Sequence, residues 1–286
     1  MLASALAWRR LAAGAGTSTG PALPGPRRVP VLPHGRAVRP PVLWPHAPTI
    51  GGVQDDPTRF RDLTLGAFVD RLASAAPVPG GGSASAVAAS LAAGLVAMVA
   101  SLSEGRPRYA MHAEVHARAK AAGTELADRL LRIADEDAAA FGTFAAALKL
   151  PRDTPEQQDV RAAAIRDAAR VAAEVPLRCV EACLEVVTAA ELLAARCNVN
   201  ASSDLHVAAL LAEAAAEGAA ANVRVNLPAV GDPAWAEVTG ARVDELLGQI
   251  SGLCSTTHRV VASGEARPPV TPVTPVTPVT PVTPVA

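Results

Sequence analysis

The chain reads Pro77-Val78-Pro79-Gly80-Gly81-Gly82-Ser83 and then continues for twenty residues, Ala84 to Ser103, without a charged side chain. Three consecutive glycines leave backbone N–H groups unshielded, and the first turn of a following helix adds N–H groups that lack partners. The segment therefore predicts a turn into a buried helix, with a candidate anion-binding loop at its start. The alternative is that the glycines only make the turn and let two helices approach closely.

Composition points to helices throughout the middle of the chain. Half of the 286 residues are hydrophobic, only 3% are aromatic, and alanine is abundant. Alanine is the best helix former, and small side chains allow helix axes to approach closely. No segment alternates with a period of two residues, so no strand is predicted. We expect an all-α fold, an elongated multi-helix bundle of about six or seven helices that dimerises through Ala-rich faces.

The two ends of the chain differ from the middle. Residues 1–54 contain six arginines, nine prolines and no acidic residue, and residues 268–286 are an uncharged Thr-Pro-Val repeat. We therefore predict one helical domain, residues 55–267, between two extensions without regular structure. The repeat should be extended and polyproline-like, either a spacer or a docking strand for a partner.

Charge and targeting signals bear on localisation and partners. The net charge of −1 becomes −7 once the six N-terminal arginines are set aside, which argues against nucleic acid as a partner. The first fifty residues have the Arg-rich, acid-free composition of a transit peptide, but their prolines would break its amphipathic helix. A cytoplasmic protein with an unstructured or misassigned N-terminal extension is preferred, and mitochondrial import is the alternative.

Caps and periodicity place the helices. Thr64 should cap a short helix from Leu65 to about Ala75, and Thr154-Pro155-Glu156 should open a long one in which Pro176 marks a kink or a break. The other helices are expected over 84–102, over 109–149, from Ser203 and from Asp232. The helix over 84–102 is long enough to cross a bilayer, but it consists mostly of Ala, Ser and Gly, so a buried bundle helix is preferred.

One acidic residue falls where the helical period calls for an apolar side chain. The apolar stripe of the third long helix includes Leu130, Ile133 and Phe141, and Asp137 fills the gap in that series. Burial disfavours the charged form of a carboxylate and raises its pKa toward the range useful for proton transfer. Asp137 is therefore the candidate catalytic acid or base. The alternative is a structural aspartate that caps or pairs with a neighbouring helix.

A second polar cluster is the run from Asn198 to Asp204, which separates two apolar helices. Ser202 or Ser203 can cap the helix that follows, with Asp204 favourable in its first turn. Capping does not account for Asn198 and Asn200, whose paired donors and acceptors suit amide-like ligand edges. Asn222 and Asn226 lie about five turns further on, too far away to share one small ligand within one subunit. They are either core hydrogen-bonding residues or part of a second site across a dimer.

Cofactor motifs are not apparent in the sequence. The four cysteines form no CxxC pair and have no histidine at ligand spacing, so neither a metal site nor a redox site is predicted. The glycine segment lacks the preceding strand, the lysine and the glycine spacing of nucleotide-binding loops.

Several motifs in order resemble the cyclodeaminase/cyclohydrolase family over about Leu63 to Leu247. The family includes the C-terminal half of formiminotransferase-cyclodeaminase and free-standing methenyltetrahydrofolate cyclohydrolases. The segments that carry the resemblance are Pro77–Ser83, Asp135-Glu136-Asp137, Leu150-Pro151 with Arg161, Glu174-Val175-Pro176-Leu177, Asn198 to Asp204, and Asn222 to Leu227. One departure is Cys197, which stands where the family commonly has a glycine.

The resemblance implies a fold, a dimer and a reaction. An elongated all-helical dimer would bind a folate substrate, with or without a polyglutamate tail, at its interface and without a metal or redox cofactor. The composition of the helix over 84–102, rather than the resemblance, is the reason that no membrane is expected. It would convert 5-formiminotetrahydrofolate to 5,10-methenyltetrahydrofolate with release of ammonia. One alternative is methenyltetrahydrofolate cyclohydrolase, which gives 10-formyltetrahydrofolate. The other is a non-catalytic helical dimer that tethers partners through its tails.

The same resemblance implies roles for individual residues. Asp137 and Asp204 would be the proton-transfer and pterin-binding carboxylates. Asn198, Asn200 and Ser203 would orient the ring, and the segment Gly80, Gly81, Gly82, Ser83 would supply backbone donors. Lys149, Arg152 or Arg161 would meet the glutamate tail.

Overall fold

The computed structural model of the protein describes residues 59–270. Within these residues the regular structure consists of six α-helices and three short 3-10 helices, without a strand. The predicted all-α fold is therefore confirmed. The predicted extension over residues 1–54 and the repeat beyond Val270 lie outside the described residues.

The α-helices agree closely with the predicted elements. They are α1 (Leu65–Leu72), α2 (Gly81–Ser103), α3 (Ala113–Ala147), α4 (Pro155–Leu193), α5 (Ser202–Val230) and α6 (Pro233–Ser263). The Thr64 side chain caps α1, accepting a hydrogen bond from the Ala67 N–H at 3.1 Å. Thr154 and Gln157 form a complete capping box at the start of α4, and Asp232 caps α6.

Helices α2 to α5 form an up-and-down four-helix bundle. Each packs antiparallel to the next, and α5 returns to pack against α2, while α6 lies against α4 and α5. Ser90 on α2 donates a hydrogen bond to the Ala127 carbonyl on α3 at 2.8 Å, and Arg129 on α3 pairs with Glu185 on α4 at 2.8 Å. Ser90 of α2 therefore lies beside the middle of α3, and Ser103, the last residue of α2, lies beside Asn198, just before α5.

Small residues bring the helix axes close together. A methyl group added at Gly123 of α3 would lie only 2.7 Å from the Ala93 carbonyl oxygen and 2.8 Å from the Ala97 nitrogen of α2. Because those neighbours are backbone atoms, the two helices would have to move apart to admit it. The low aromatic and high alanine content thus corresponds to close helix contacts, as predicted.

Pro176 does not break its helix, contrary to one of the two outcomes that the sequence predicts. Helix α4 is continuous from Pro155 to Leu193 with Pro176 buried inside it. A proline has no N–H, so the carbonyl of residue 172, four positions earlier, loses its helical donor. The Asn226 side-chain amide of α5 donates to this Ala172 carbonyl at 2.8 Å. A side chain on the neighbouring helix thus supplies the missing hydrogen bond.

The helical period predicts that Leu65, Phe68, Val69 and Leu72 form the apolar face of α1, and this face is mostly exposed. Phe68 is buried and makes an edge-to-face contact with Phe60, whose ring centre is 5.6 Å away. Leu65 remains 71% exposed and Val69 51% exposed, because a helix of eight residues on the bundle surface buries only one side. Of the four apolar residues on this face, only Phe68 is buried in the core.

Helix α2 is the one described helix with the length and apolarity needed to cross a membrane. Eleven of its residues are buried, as in the core helix of a bundle. Its outward side carries Leu91, Met98 and Leu102, which are exposed, together with half-buried Leu95. These four residues, at helical spacing, form one apolar stripe that we call the α2 stripe.

Candidate functional site

The triple glycine is part of a helix rather than a free loop. Helix α2 begins at Gly81, and Gly80 is the residue before its first turn. Gly81, Gly82 and Ser83 therefore carry the first N–H groups of the helix, which have no partner four residues earlier. The sequence placed the helix start at Ala84, one turn too late.

The Asp137 carboxylate lies directly against this first turn. Its Oδ2 accepts a hydrogen bond from the Ser83 hydroxyl at 2.9 Å, and the same hydroxyl lies 3.1 Å from the Ala134 carbonyl. A methyl group at Gly82 would lie 2.5 Å from the Asp137 carboxylate carbon and 2.7 Å from Oδ2. Gly82 therefore provides the space that lets Asp137 reach the helix.

The pKa of Asp137 reflects two opposing influences. Burial raises it, and hydrogen bonds from the Ser83 side chain and backbone N–H oppose the shift by stabilising the carboxylate. The net direction is upward, as predicted from the apolar stripe. The carboxylate contacts the first turn of α2, as the structural alternative expects, and its raised pKa makes it hold a proton more readily than an ordinary aspartate. Its catalytic role stays a prediction.

Asn222 and Asn226 lie at the same end of the bundle. The Asn222 amide nitrogen is 3.4 Å from the position a methyl group would take at Gly81. Asn226 donates to Ala172 and to the Asn222 carbonyl, so it is one of the core hydrogen-bonding residues that the sequence allowed. Asn222 was not predicted to lie beside the glycines. The packing of α5 against α2 places Asn222 beside Gly81, and no local sequence pattern predicts that packing.

We call this group of residues, Gly80 to Ser83 with Asp137 and Asn222, the glycine end of the bundle. The polar run Asn198 to Asp204 forms the opposite, asparagine end. The Asn198 N–H donates to the Ser103 hydroxyl at 2.8 Å, and its amide approaches the Leu102 carbonyl at 3.5 Å. Ser103 is the last residue of α2, so the two ends are separated by the length of that helix, about 33 Å. Within one chain, Asp137 and Asp204 do not meet.

The asparagine end is organised by local hydrogen bonds. Asn198 caps the short 3-10 helix Val199–Ala201, accepting a hydrogen bond from the Asn200 N–H. The Ser202 hydroxyl donates to the Val199 carbonyl, and neither Ser202 nor Ser203 caps α5. The predicted cap is therefore wrong, because Ala201 occupies that position and the 3-10 turn feeds directly into the helix. Ser203 is exposed and Asp204 half-buried, so both can be reached by a ligand.

The cations predicted for the glutamate tail lie near the junction of α3 and α4. Lys149 and Arg152 are exposed, and Arg161 donates to the Leu148 carbonyl at 3.1 Å. The Arg161 Nε is buried without a hydrogen-bond partner among the described residues. Arg161 is thus partly committed to ending α3, whereas Lys149 is available to an anion.

Metal ligands are not assembled in the part of the chain that the structure describes. No group of three or more His, Cys, Asp or Glu side chains is placed to hold an ion there. All four cysteines are buried free thiols, and burial raises the pKa of Cys197 to about 11. A thiol with so high a pKa is a poor nucleophile at neutral pH.

The fold and the site together define a class of protein, an antiparallel helical bundle that holds a protonatable carboxylate against the first turn of its central helix. A family model described as Formiminotransferase-cyclodeaminase matches residues 64–245. The chain belongs to this family. The carboxylate and the glycines lie inside the matched region, as does the asparagine end.

Similar proteins of known activity are of two kinds, a cyclohydrolase and a transferase-cyclodeaminase. The chain is 39% identical over 205 residues to the methenyltetrahydrofolate cyclohydrolase of Methylorubrum extorquens, which covers 70% of this chain and 96% of that protein. It is 35% identical over 186 residues to the formimidoyltransferase-cyclodeaminase of Rattus norvegicus, covering 65% of this chain and 34% of that protein. The chain thus spans about a third of the mammalian relative and nearly all of the bacterial one.

A solved structure has the same fold. The crystal structure of formiminotetrahydrofolate cyclodeaminase from Thermotoga maritima matches with a TM-score of 0.65 and 26% identity, covering 71% of this chain and 98% of that chain. The family resemblance stated from the sequence motifs is therefore confirmed. The comparisons indicate a folate one-carbon enzyme of the cyclodeaminase or cyclohydrolase kind.

Proposed function

We propose that the protein acts on the one-carbon unit that bridges N5 and N10 of tetrahydrofolate, and that its reaction is hydrolysis of 5,10-methenyltetrahydrofolate to the 10-formyl compound. The observation that carries the proposal is the half-buried Asp137 carboxylate, with its raised pKa, against Gly82 and Ser83 in a chain of this family. The 39% identity to a cyclohydrolase, over 96% of that protein, favours hydrolysis. The sequence motifs alone put deamination first.

The second candidate is deamination of 5-formiminotetrahydrofolate to the methenyl compound with release of ammonia. The likeness to the Thermotoga cyclodeaminase, which covers 98% of that chain, favours it. Both reactions pass through a tetrahedral carbon bonded to both folate nitrogens. Hydrolysis reaches it by addition of water, and deamination by attack of N10 on the formimino carbon.

A carboxylate of raised pKa suits either reaction. In hydrolysis Asp137 would accept a proton from the attacking water and return it to N5 as the N5–carbon bond breaks. In deamination it would move a proton from N10 to the departing ammonia. Neither reaction changes the oxidation state of the carbon, so we propose no redox cofactor. Following the family resemblance, we also propose no metal, with the folate derivative as substrate.

The remaining roles follow the sequence motifs. Asp204 would bind the pterin or move the second proton, and Asn198, Asn200 and Ser203 would orient the ring. Part of the predicted cradle is already used, because Ser83 donates to Asp137. Gly80, Gly81 and Gly82 would supply the remaining donors, and Lys149, with Arg161, would attract the glutamate tail.

We propose that two chains complete each site. Asp137 and Asp204 lie at opposite ends of α2, about 33 Å apart, so one folate cannot contact both in one chain. The exposed side chains of the α2 stripe give an apolar face along the same axis. A twofold axis through the middle of this face would bring the glycine end of one chain to the asparagine end of its partner.

Absorbance of the methenyl group separates the two reactions. Hydrolysis predicts that purified protein accelerates the loss of this absorbance from methenyltetrahydrofolate. Deamination predicts that the absorbance appears from the formimino substrate in step with ammonia. In both assays Asp137→Asn is compared with Glu136→Gln, a neighbouring carboxylate that pairs with Arg178. An Asp137→Asn protein as active as Glu136→Gln would rule out the proposed proton transfer.

Mixed dimers test whether the site is shared. Asp137→Asn and Asp204→Asn homodimers should each be nearly inactive, but a mixture allowed to exchange subunits should recover about a quarter of the wild-type rate. Half of the dimers would be mixed, and each would contain one site with both carboxylates. If both residues served a site within one chain, the mixture would recover nothing.

The non-catalytic alternative has its own test. A folate derivative at 100 times its dissociation constant should stabilise the folded protein by about 2.7 kcal/mol. A melting temperature unmoved by folates, together with inactivity in both assays, would favour a tethering dimer instead. We propose a cytoplasmic location, because folate one-carbon units and a reduced set of cysteines fit that compartment.

A further inference from the structure

The surface between α3 and α4 contains the beginning of an apolar groove. Its walls include Val115, Ala119 and Ala122 on α3 and Leu184, Thr188 and Leu192 on α4, around a cavity of about 420 Å³. The ion pair between Arg129 and Glu185 lies at the end of the groove that is farther from Leu192. We call this surface the α3–α4 groove.

Val270, the last described residue, is itself part of the lining. The chain reaches it along a fixed path after α6. Arg267 pairs with Glu191 at 2.7 Å, and the Pro268 carbonyl accepts a hydrogen bond from the Arg196 side chain at 2.8 Å. These contacts hold the segment against the last turn of α4, next to Leu192, and direct it into the groove.

The sequence beyond Val270 has the right period and chemistry to continue along this surface. It repeats Thr-Pro-Val without a charge, so valines recur at every third position. A polyproline II strand has three residues per turn and rises about 3.1 Å per residue, so its valines share one face at about 9 Å intervals. The α3 wall from Val115 to Ala122 is about 10 Å long, which matches one such interval.

We propose that residues 271–276 dock in the α3–α4 groove as a polyproline-type strand, with Val273 entering the space beside Thr188. The groove would take an extended, proline-rich segment of the same chain rather than a small molecule. The valines would cover the apolar walls, and the backbone carbonyls of the strand would face the Arg118 side chain at the rim. The tail would thereby brace α3 against α4 at the asparagine end of the bundle.

Disulfide trapping in the full-length protein tests the docking. The four native cysteines are buried, so cysteines introduced at exposed Thr188 and in the repeat are the accessible thiols. Under mild oxidation, Thr188→Cys with Val273→Cys should form an intramolecular disulfide at least about tenfold faster than either control pair. The first control is Thr188→Cys with Thr274→Cys, which differs in the face of the strand. The second is Ser255→Cys with Val273→Cys, because Ser255 is exposed on the distant helix α6.

Each outcome of the trapping experiment either supports or contradicts the docking of residues 271–276 in the α3–α4 groove. Faster trapping of the Thr188–Val273 pair, slowed by Ala122→Glu in the groove wall, supports the docking. Equal rates for all three pairs would mean that the repeat does not occupy the groove. Disulfides that join two chains would assign the groove to a second copy, and this too would overturn the proposal.

Discussion

Gly82→Ala tests the geometry of the glycine end most directly. An added methyl group would lie 2.5 Å from the Asp137 carboxylate carbon and closer still to Oδ1, whereas ordinary contact begins at 3.4 Å, so the carboxylate must retreat by about 0.9 Å or more. That shift would weaken or break the 2.9 Å hydrogen bond from Ser83. Misplacement of a catalytic group by about 1 Å can reduce the rate by about a hundredfold.

Stability should respond very differently from activity. Alanine is favoured over glycine inside a helix by up to about 1 kcal/mol, and the displaced group is the end of a side chain rather than backbone. We therefore expect Gly82→Ala to keep its melting temperature within a few degrees while kcat falls by about a hundredfold. Thermal unfolding and the methenyl absorbance assay measure the two effects on the same preparation.

Gly142→Ala is the matched control. It lies on α3, five residues after Asp137, and an added methyl group would meet nothing within 4 Å. This variant should be as active as wild type and slightly more stable. Wild-type turnover by Gly82→Ala, or an equal loss in both variants, would refute the argument that Gly82 makes room for a working carboxylate.

Four further predictions address charge, pH dependence, hydrogen bonding and capping. Because the pKa of Asp137 is raised in the folded protein, ionisation of this residue lowers the free energy of unfolding. This penalty is absent below the pKa of the unfolded state and complete above the pKa of the folded state. Unfolding titrations should therefore show Asp137→Asn to be more stable than wild type at neutral pH, by a difference that shrinks on acidification. As a general base, the same residue predicts that wild-type kcat/KM falls as the pH is lowered through that raised value. Asn226→Ala should lower the free energy of unfolding by about 1–3 kcal/mol because it leaves the Ala172 carbonyl unpaired. The loss should be clearly smaller in a Pro176→Ala background, where the backbone N–H of residue 176 can donate to this carbonyl. Denaturant unfolding of wild type, the two single variants and the double variant should therefore show a coupling energy, and additive effects would contradict the proposal that Asn226 replaces the missing N–H. Thr154→Ala removes the capping box of α4 and should lower stability by about 1 kcal/mol without changing KM, whereas a change in KM would connect this cap to the site.

Local patterns in the sequence were sufficient for most of the fold. Thr64, Thr154 and Asp232 cap helices where their side chains can reach the free N–H groups of the next turn. Such caps involve residues three or four positions apart, so the local sequence is enough to predict them. The start of α2 was misplaced because Gly81 and Gly82 look like a loop, although the neighbouring Asp137 stabilises them as a helix turn.

The apolar period of α3 was enough to single out Asp137, because a charge within a buried stripe stands out against its neighbours. The period could not tell which helix the carboxylate would face. Its contact with Ser83 joins residues 54 positions apart, and only the antiparallel packing of α2 on α3 creates it.

By itself, the sequence determined the helical class, the approximate positions of the helices between residues 59 and 270, and the family, because alanine content, caps and ordered motifs are properties of short stretches. The tertiary structure decided which polar residues meet. It separated Asp137 from the asparagine end by the length of α2, and it joined Asn226 to the Ala172 carbonyl that Pro176 leaves free. Contacts between segments that are distant in the sequence depend on how whole helices pack, so a local sequence pattern does not predict which residues of another helix it will contact.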